Sequence, residues 1–234
     1  MLTTLRTSPT LAALARWPFG VALTSWRYMW RTTPMRRVEV GDHSQVDDPP
    51  SLPDDLDLKE VLLPDQGAGP MYHRLYGVCI TGSQMSELDL MARIRREPNV
   101  VSPTEFARFD KVAGDPDDMS PGDEYVVRMP GPWNGPVRAV AVTPSSFRFV
   151  TLKGHLEAGQ IEFRAAQGSD LTFQIESWAR SGDRLSHVMY DSLRMAKEIQ
   201  LHMWTSTLER VVRLTGGARS GPIRIETRRI VVHG

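Results

Sequence analysis

The chain reads as an α+β domain: a curved antiparallel sheet wrapped around one long carboxy-terminal helix, with an amino-terminal helical extension. Three observations predict this. First, from about Thr104 onward short β-type runs follow one another, separated by Pro121-Gly122, Asn134-Gly135, Pro144-Ser145, Lys153-Gly154 and Gly168-Ser169. Repeated strands at hairpin spacing read as one meander. Second, apolar and polar residues alternate along the later runs. Ile161 and Phe163 oppose Gln160, Glu162 and Arg164, and Leu171, Phe173 and Ile175 oppose Thr172, Gln174 and Glu176. Third, Leu185, Met189, Leu193, Ala196, Ile199, Met203, Leu208 and Val211 recur at helical spacing, which marks an amphipathic helix.

The elements follow in order. Residues 1–40 are predicted as a helical extension, with Trp26 and Trp30 on one face and Arg27 and Arg31 as the adjacent stripe. Its apolar run at Leu11–Leu14 is broken by Arg16, Pro18 and Gly20. That is too short for a membrane span, and no Ala-x-Ala cleavage site follows an apolar core. Residues 41–70 are predicted as an acidic, Pro- and Gly-rich linker running over the surface; Asp47-Asp48-Pro49-Pro50 and Gly67-Ala68-Gly69-Pro70 carry that composition. The domain proper is assigned to residues 71–234. It opens with a strand over Tyr72–Thr81 and a helix from Ser83 to Arg96, stopped by Pro98. Tyr125–Val127, Val137–Val142, Phe147–Leu152, Ile161–Phe163 and Leu171–Ile175 supply further strands. The final helix is predicted from Asp183 as N-cap to Gly216 as the residue beyond its end. Pro222–Val232 alternates loosely as a last strand.

Bulk composition narrows the function classes. In 234 residues, 28 basic side chains balance 28 acidic ones, so the basic excess typical of nucleic-acid binding is missing. Hydrophobic residues make up 41% and charged ones 24%, as in ordinary globular domains. Cys79 is the single cysteine. It permits neither an internal disulfide nor a cysteine zinc cluster, fits a reducing cytoplasm, and is expected to be buried in its strand. There is no phosphate-binding Gly-x-x-x-x-Gly-Lys-Ser/Thr loop and no Gly-x-Ser-x-Gly elbow. No metal or cofactor is predicted.

Strand, helix, curved meander and final helix together resemble the helix-grip fold of the START-like superfamily, which includes polyketide cyclases and lipid-transport domains. The segment Thr151-Leu152-x-Gly154-His155-x-Glu157-x-Gly159, leading to Phe163, is similar to a bacterial family, the domain of unknown function numbered nineteen-ninety. The runs Ser177–Ser186 and Thr24–Pro34 fit the same family. The resemblance implies a fold and a pocket; the family has no established reaction.

The best local constellation is Gly154-His155-x-Glu157-x-Gly159, where a neutral imidazole beside a carboxylate suits acid–base work or polar ligand contact. The competing reading is a hairpin whose His caps loop carbonyls. Glu198 and His202 are four apart on the final helix but match no metal spacing, and read as a surface pair. Tyr125, Met129, Phe147, Phe149, Phe163, Phe173, Trp178, Met189 and Met203 line a hydrophobic cavity or fill a core. The resemblance to a cavity-forming fold sets the cavity level with the packed core, and the leading expectation is non-catalytic binding of a hydrophobic small molecule, lipid or polyketide-like, with His155, Tyr190 and Glu176 orienting it. A cyclase- or hydrolase-type enzyme in the same cavity is the first alternative. The second is docking to a membrane surface or protein through Trp17, Trp26, Arg27, Trp30 and Arg31.

Overall fold

A computed structural model describes residues 35–40, 48–129, 134–182 and 194–230, with the backbone path alone for 35–40 and 194–199. The elements are β1 (Met35–Val40), β2 (Ala68–Thr81), α1 (Glu87–Arg96), β3 (Arg108–Ala113), β4 (Glu124–Arg128), β5 (Asn134–Val142), β6 (Ser146–Thr151), β7 (Glu157–Gln167), β8 (Leu171–Ser181), α2 (Arg194–Leu214), β9 (Ala218–Arg219) and β10 (Ile223–Ile230). They build one sheet of ten strands in the order β1-β10-β2-β8-β7-β6-β5-β4-β3, with β9 pairing β2 off this path. β1 runs parallel to β10, and the other ladders are antiparallel. From β3 to β8 the strands are sequential neighbours, as the hairpin breaks predict.

Both helices lie on one face of this sheet. α1 begins at Ser86, whose hydroxyl accepts from the Asp89 N–H, so the cap falls three residues later than the sequence suggests. Glu87 and Asp89 in its first turn and Arg93, Arg95 and Arg96 in its last complement the helix dipole. Its buried stripe of Leu90, Met91 and Ile94 joins the same core as Leu201, Trp204, Leu208 and Val211 of α2. α2 ends before Gly216, at φ 69°, the left-handed residue expected there. Residues 183–193, where the final helix is predicted to begin, lie outside the described residues.

Strand parity decides which side chains meet the helices. On β2 these are Tyr76, Val78 and Ile80; on β7 Ile161, Phe163 and Ala165; on β8 Leu171, Phe173 and Ile175. Burying one such Phe, Leu or Ile side chain contributes about 1.5–3 kcal/mol. On β5 the register slips between Ala139 and Ala141. This bulge lets both Ala139 and Val142 reach the core and adds curvature.

The back of the sheet is not simply solvated, which corrects the expectation for the linker. Residues 49–66 do not run free over the surface. Val61 bridges Leu152 and packs with Val140 and Val150, joined by Leu52, Leu56 and Leu63. Leu residues spaced through the acidic segment give it an apolar side that its charge content hides. Hydrogen bonds from Leu62 N–H to Thr151 O, from Gln160 Nε2 to Pro50 O and from Arg148 Nη2 to Ser51 O hold it down. Burial lowers the Arg148 pKa. Two further corrections concern single elements. Residues 35–40 of the predicted helical extension form β1, drawn into pairing by the free edge of β10. Cys79 is exposed, because its parity sends it to the outer face, opposite Val78 and Ile80. No described helix is long and apolar enough to cross a membrane.

Gly159 marks the tightest approach in the sheet. A Cβ there would sit 2.0 Å from the Trp178 carbonyl oxygen, so the β7–β8 ladder closes only over a glycine. Gly159→Ala is expected to cost at least about 2 kcal/mol through overpacking, read as a lowered urea midpoint at unchanged slope.

Candidate functional site

The inner face is apolar at its centre and polar at one end. The centre is a ring cluster. Phe147 stacks on Phe163 at 4.9 Å, Phe149 meets Tyr125 at 5.4 Å and Phe109 at 6.2 Å, and Trp204 of α2 stands edge-on to Phe163 at 5.7 Å. The predicted lining residues Tyr125, Phe149, Phe163 and Phe173 are therefore brought together, deep in the core. Burial pushes the Tyr125 phenol up despite the nearby Lys111 ammonium. That ammonium is held by Asp123 at 2.6 Å and by the carbonyls of Asp115 and Asp118, which close the β3–β4 loop. Beside α2 a groove of about 260 Å³ has the core residues Val78 and Ile223 at its floor, with Val212, Glu209, Arg213 and Arg219 around it.

The polar end belongs to β2, β7, β8 and the start of α2. Arg74 shares the parity of Tyr76 and Val78, so its side chain enters the interior and is only 5% exposed. Its Nη1 lies 3.8 Å from Glu157 Oε1, and its guanidinium covers the Tyr72 ring at 4.8 Å. Ser177 is its cross-strand partner in the β2–β8 register. The Ser177 hydroxyl is buried without a hydrogen-bond partner, as is the Trp204 indole N–H. Glu157 also accepts from Gln200 Nε2 of α2 at 3.3 Å.

The Gly154–Gly159 motif organises the hairpin between β6 and β7. Gly154 turns the chain at φ 91°. Thr151 Oγ1 accepts from the Gly159 N–H at 2.9 Å. His155 Nδ1 lies 2.9 Å from the Glu157 N–H and 3.0 Å from its carbonyl oxygen, and its Nε2 packs where a Gly135 side chain would be. Burial lowers the His155 pKa, outweighing the attraction of Glu157. His155 and Glu157 are thus neighbours, but the imidazole serves the loop while the carboxylate faces Arg74.

Glu176 requires a correction. Its parity is opposite to that of Ile175 and Ser177, so it lies on the outer face. There it bonds His73 Nε2 at 2.7 Å and Arg164 Nη2 at 2.8 Å, next to Trp178, which stacks on the His73 ring at 5.2 Å. Trp178 is likewise outside the inner ring cluster. Burial pushes the Glu176 carboxyl up, but His73 and Arg164 together hold it below the usual range. His202, read as half of a surface pair, is buried against Phe106 at 5.4 Å. Tyr190, Met189 and the docking residues Trp17, Trp26, Arg27, Trp30 and Arg31 lie outside the described residues, as does the side chain of Glu198. Sequence reasoning missed Arg74, Ser177 and Trp204. The signal for Arg74 was its place on the apolar parity of β2.

A large curved antiparallel sheet with few helices, closed on its inner face, is the architecture of helix-grip α+β domains. The family model for a domain of unknown function, DUF1990, matches residues 103–210, and this stretch contains the His155 motif. Among solved structures, the chain is similar to the di-domain ARO/CYC protein StfQ from the steffimycin biosynthetic pathway (7% identity, 65% of this chain and 52% of that one, TM-score 0.47). It is similar to norcoclaurine synthase from Thalictrum flavum (8%, 70% and 96%, TM-score 0.45). It is also similar to protein Ms6760 from Mycobacterium smegmatis (15%, 60% and 89%, TM-score 0.40). No curated protein matches the chain.

Two of the shifted groups, His155 and Glu176, bear on the acid side of stability. The folded pKa of His155 lies below its ordinary 6.5. Below that pH the unfolded chain takes up a proton that the folded chain resists. Stability is therefore full above pH 6.5 and falls as pH drops toward the folded value. Glu176, held below 4.5, adds a second loss as pH falls below that point. Urea titrations across this range should show that His155→Gln flattens the first slope and keeps the second.

Proposed function

We propose that the chain binds an apolar small molecule between the inner face of the sheet and α2, and does not transform it. The observation that carries this reading is the groove beside α2. Its floor, Val78 and Ile223, is part of the hydrophobic core, and its rim carries the charged Glu209, Arg213 and Arg219. An apolar floor under a polar rim is the usual composition of small-molecule sites. The affinity comes from removing apolar ligand surface from water, at about 25 cal/mol per Å². The volume of about 260 Å³ suits a compact ring system better than a long acyl chain. His155, the acid–base candidate of the sequence, is not among the residues that line this groove: its Nδ1 lies against the backbone of Glu157 and its Nε2 packs on Gly135.

Native mass spectrometry of protein purified from its own host should show a co-purifying apolar molecule that denaturing extraction releases. The neutral dye Nile red should bind the purified chain with a blue shift. Val212→Trp, which fills the groove, should weaken dye binding about tenfold, or 1.4 kcal/mol, at an unchanged melting temperature. A clean apo mass together with no dye binding by the wild type would sink this reading.

A further inference from the structure

The groove beside α2 carries more cation than its own residues neutralise. Its floor, Val78 and Ile223, is buried core. Ile223 lies one step beyond the Arg224–Gly77 pair of the β10–β2 ladder, level with Val78. Arg219 enters the same groove from β9. It pairs with Ile80 in the β9–β2 register, and cross-strand partners share a face, so its side chain takes the inward parity of Ile80 and Val78. From the other wall come Glu209, Val212 and Arg213 of α2, whose spacing places them on one helical face. Among the described residues neither Arg213 nor Arg219 has a carboxylate within 4.0 Å. Their neighbours differ: Arg210 on α2 pairs with Glu105 at 3.2 Å, and Arg224 on β10 pairs with Glu226 at 2.5 Å. Arg213 sits in the last turn of α2, where a cation also complements the helix dipole. Arg219 has no such role. It is half-buried on a two-residue strand, and a charge withdrawn from water costs free energy unless an opposite charge meets it.

The charge count selects the ligand class. Two guanidinium groups and one carboxylate leave the rim one positive charge in excess, above an apolar floor that strengthens the field. A single ligand carboxylate balances that excess, and its two oxygens match the fork of a guanidinium. An ammonium group would meet the arginines as like charges, and a neutral amide would leave the excess unbalanced. We propose that this groove takes a compact aromatic acid, its ring on Val78, Val212 and Ile223 and its carboxylate against Arg219 and Arg213. The assignment rests on the small-molecule reading above and specifies it: a monoanion with an apolar body.

Three probes built on one ring system separate the cases: 2-naphthoate, 2-naphthamide and 2-naphthylmethylammonium, titrated by fluorescence into the full chain at neutral pH and low salt. The wild type should bind the acid about tenfold more tightly than the amide, the increment expected of hydrogen bonds between charged partners, and should bind the ammonium probe most weakly. Added salt should narrow the gap between acid and amide, because charges at an open rim are screened. Arg219→Gln should cut the acid preference severalfold, Glu209→Gln should increase it, and Val212→Trp should weaken all three probes. Melting curves confirm that each variant is folded, and Arg213→Gln, at an exposed position, carries the same test if Arg219→Gln unfolds the chain. Equal binding of acid and amide by the wild type overturns the carboxylate assignment and leaves the apolar groove standing. An acid preference that survives both arginine changes, or acid binding untouched by Val212→Trp, places the anion elsewhere and overturns the assignment too. If none of the three binds, the carboxylate assignment falls, and Nile red decides whether the apolar groove falls with it.

Discussion

The ladder of β2, β8 and β7 is the constraint on which both faces of this protein depend. Its registers place Arg74 opposite Ser177, and Ser177 opposite Ile161, on the inside. The same registers place His73 opposite Trp178, and Leu75 opposite Glu176, on the outside. A slip of one residue would exchange the two sets, driving Glu176 into the aromatic core and Ile175 into the polar back. Gly159 helps hold this arrangement, since only a residue without Cβ passes the Trp178 carbonyl. The site and the fold are therefore fixed by one set of pairings.

The outer face shows how the same sheet tolerates polar burial. Glu176 is surrounded by His73 and Arg164 at hydrogen-bond distance, and Trp178 covers the imidazole face to face. Each charge there has a short-range partner. The inner pair of Arg74 and Glu157 differs: one long contact, 3.8 Å, and buried donors beside it without partners. The two clusters lie one residue apart on the same strands, so local sequence does not explain the contrast. The outer cluster is satisfied within the protein, whereas the inner one is left open.

Strand order through the meander, the stripe of α1 and the end of α2 at Gly216 were legible because each depends on local signals: hairpin breaks, apolar residues at helical spacing and a left-handed glycine. The match of residues 103–210 to DUF1990 bears out the motif around His155. Less legible was whatever depends on which strand pairs with which. Glu176 already sat on the polar parity, yet its burial by His73 and Arg164 comes from partners 103 and 12 residues away in the chain. The packing of Leu52, Leu56 and Val61 onto the back of the sheet was hidden because Asp and Pro dominate that segment's composition. Arg74 was readable in principle, as a charge on the apolar parity of a strand, but only once β2 was known to face a helix.

Stability alone does not account for the inner pair. Replacing a buried ion pair by apolar residues of similar volume is often neutral or stabilising by about 1–4 kcal/mol, and a Met–Leu pair would extend the ring cluster of Phe163 and Trp204 without interruption. The pair also does little for the fold by contact, because its 3.8 Å separation exceeds hydrogen-bond range and Gln200 already shares Glu157. A charged spot inside an apolar wall is costly as architecture, and Arg74 is held there by the β2–β8 register more than by its long contact with Glu157.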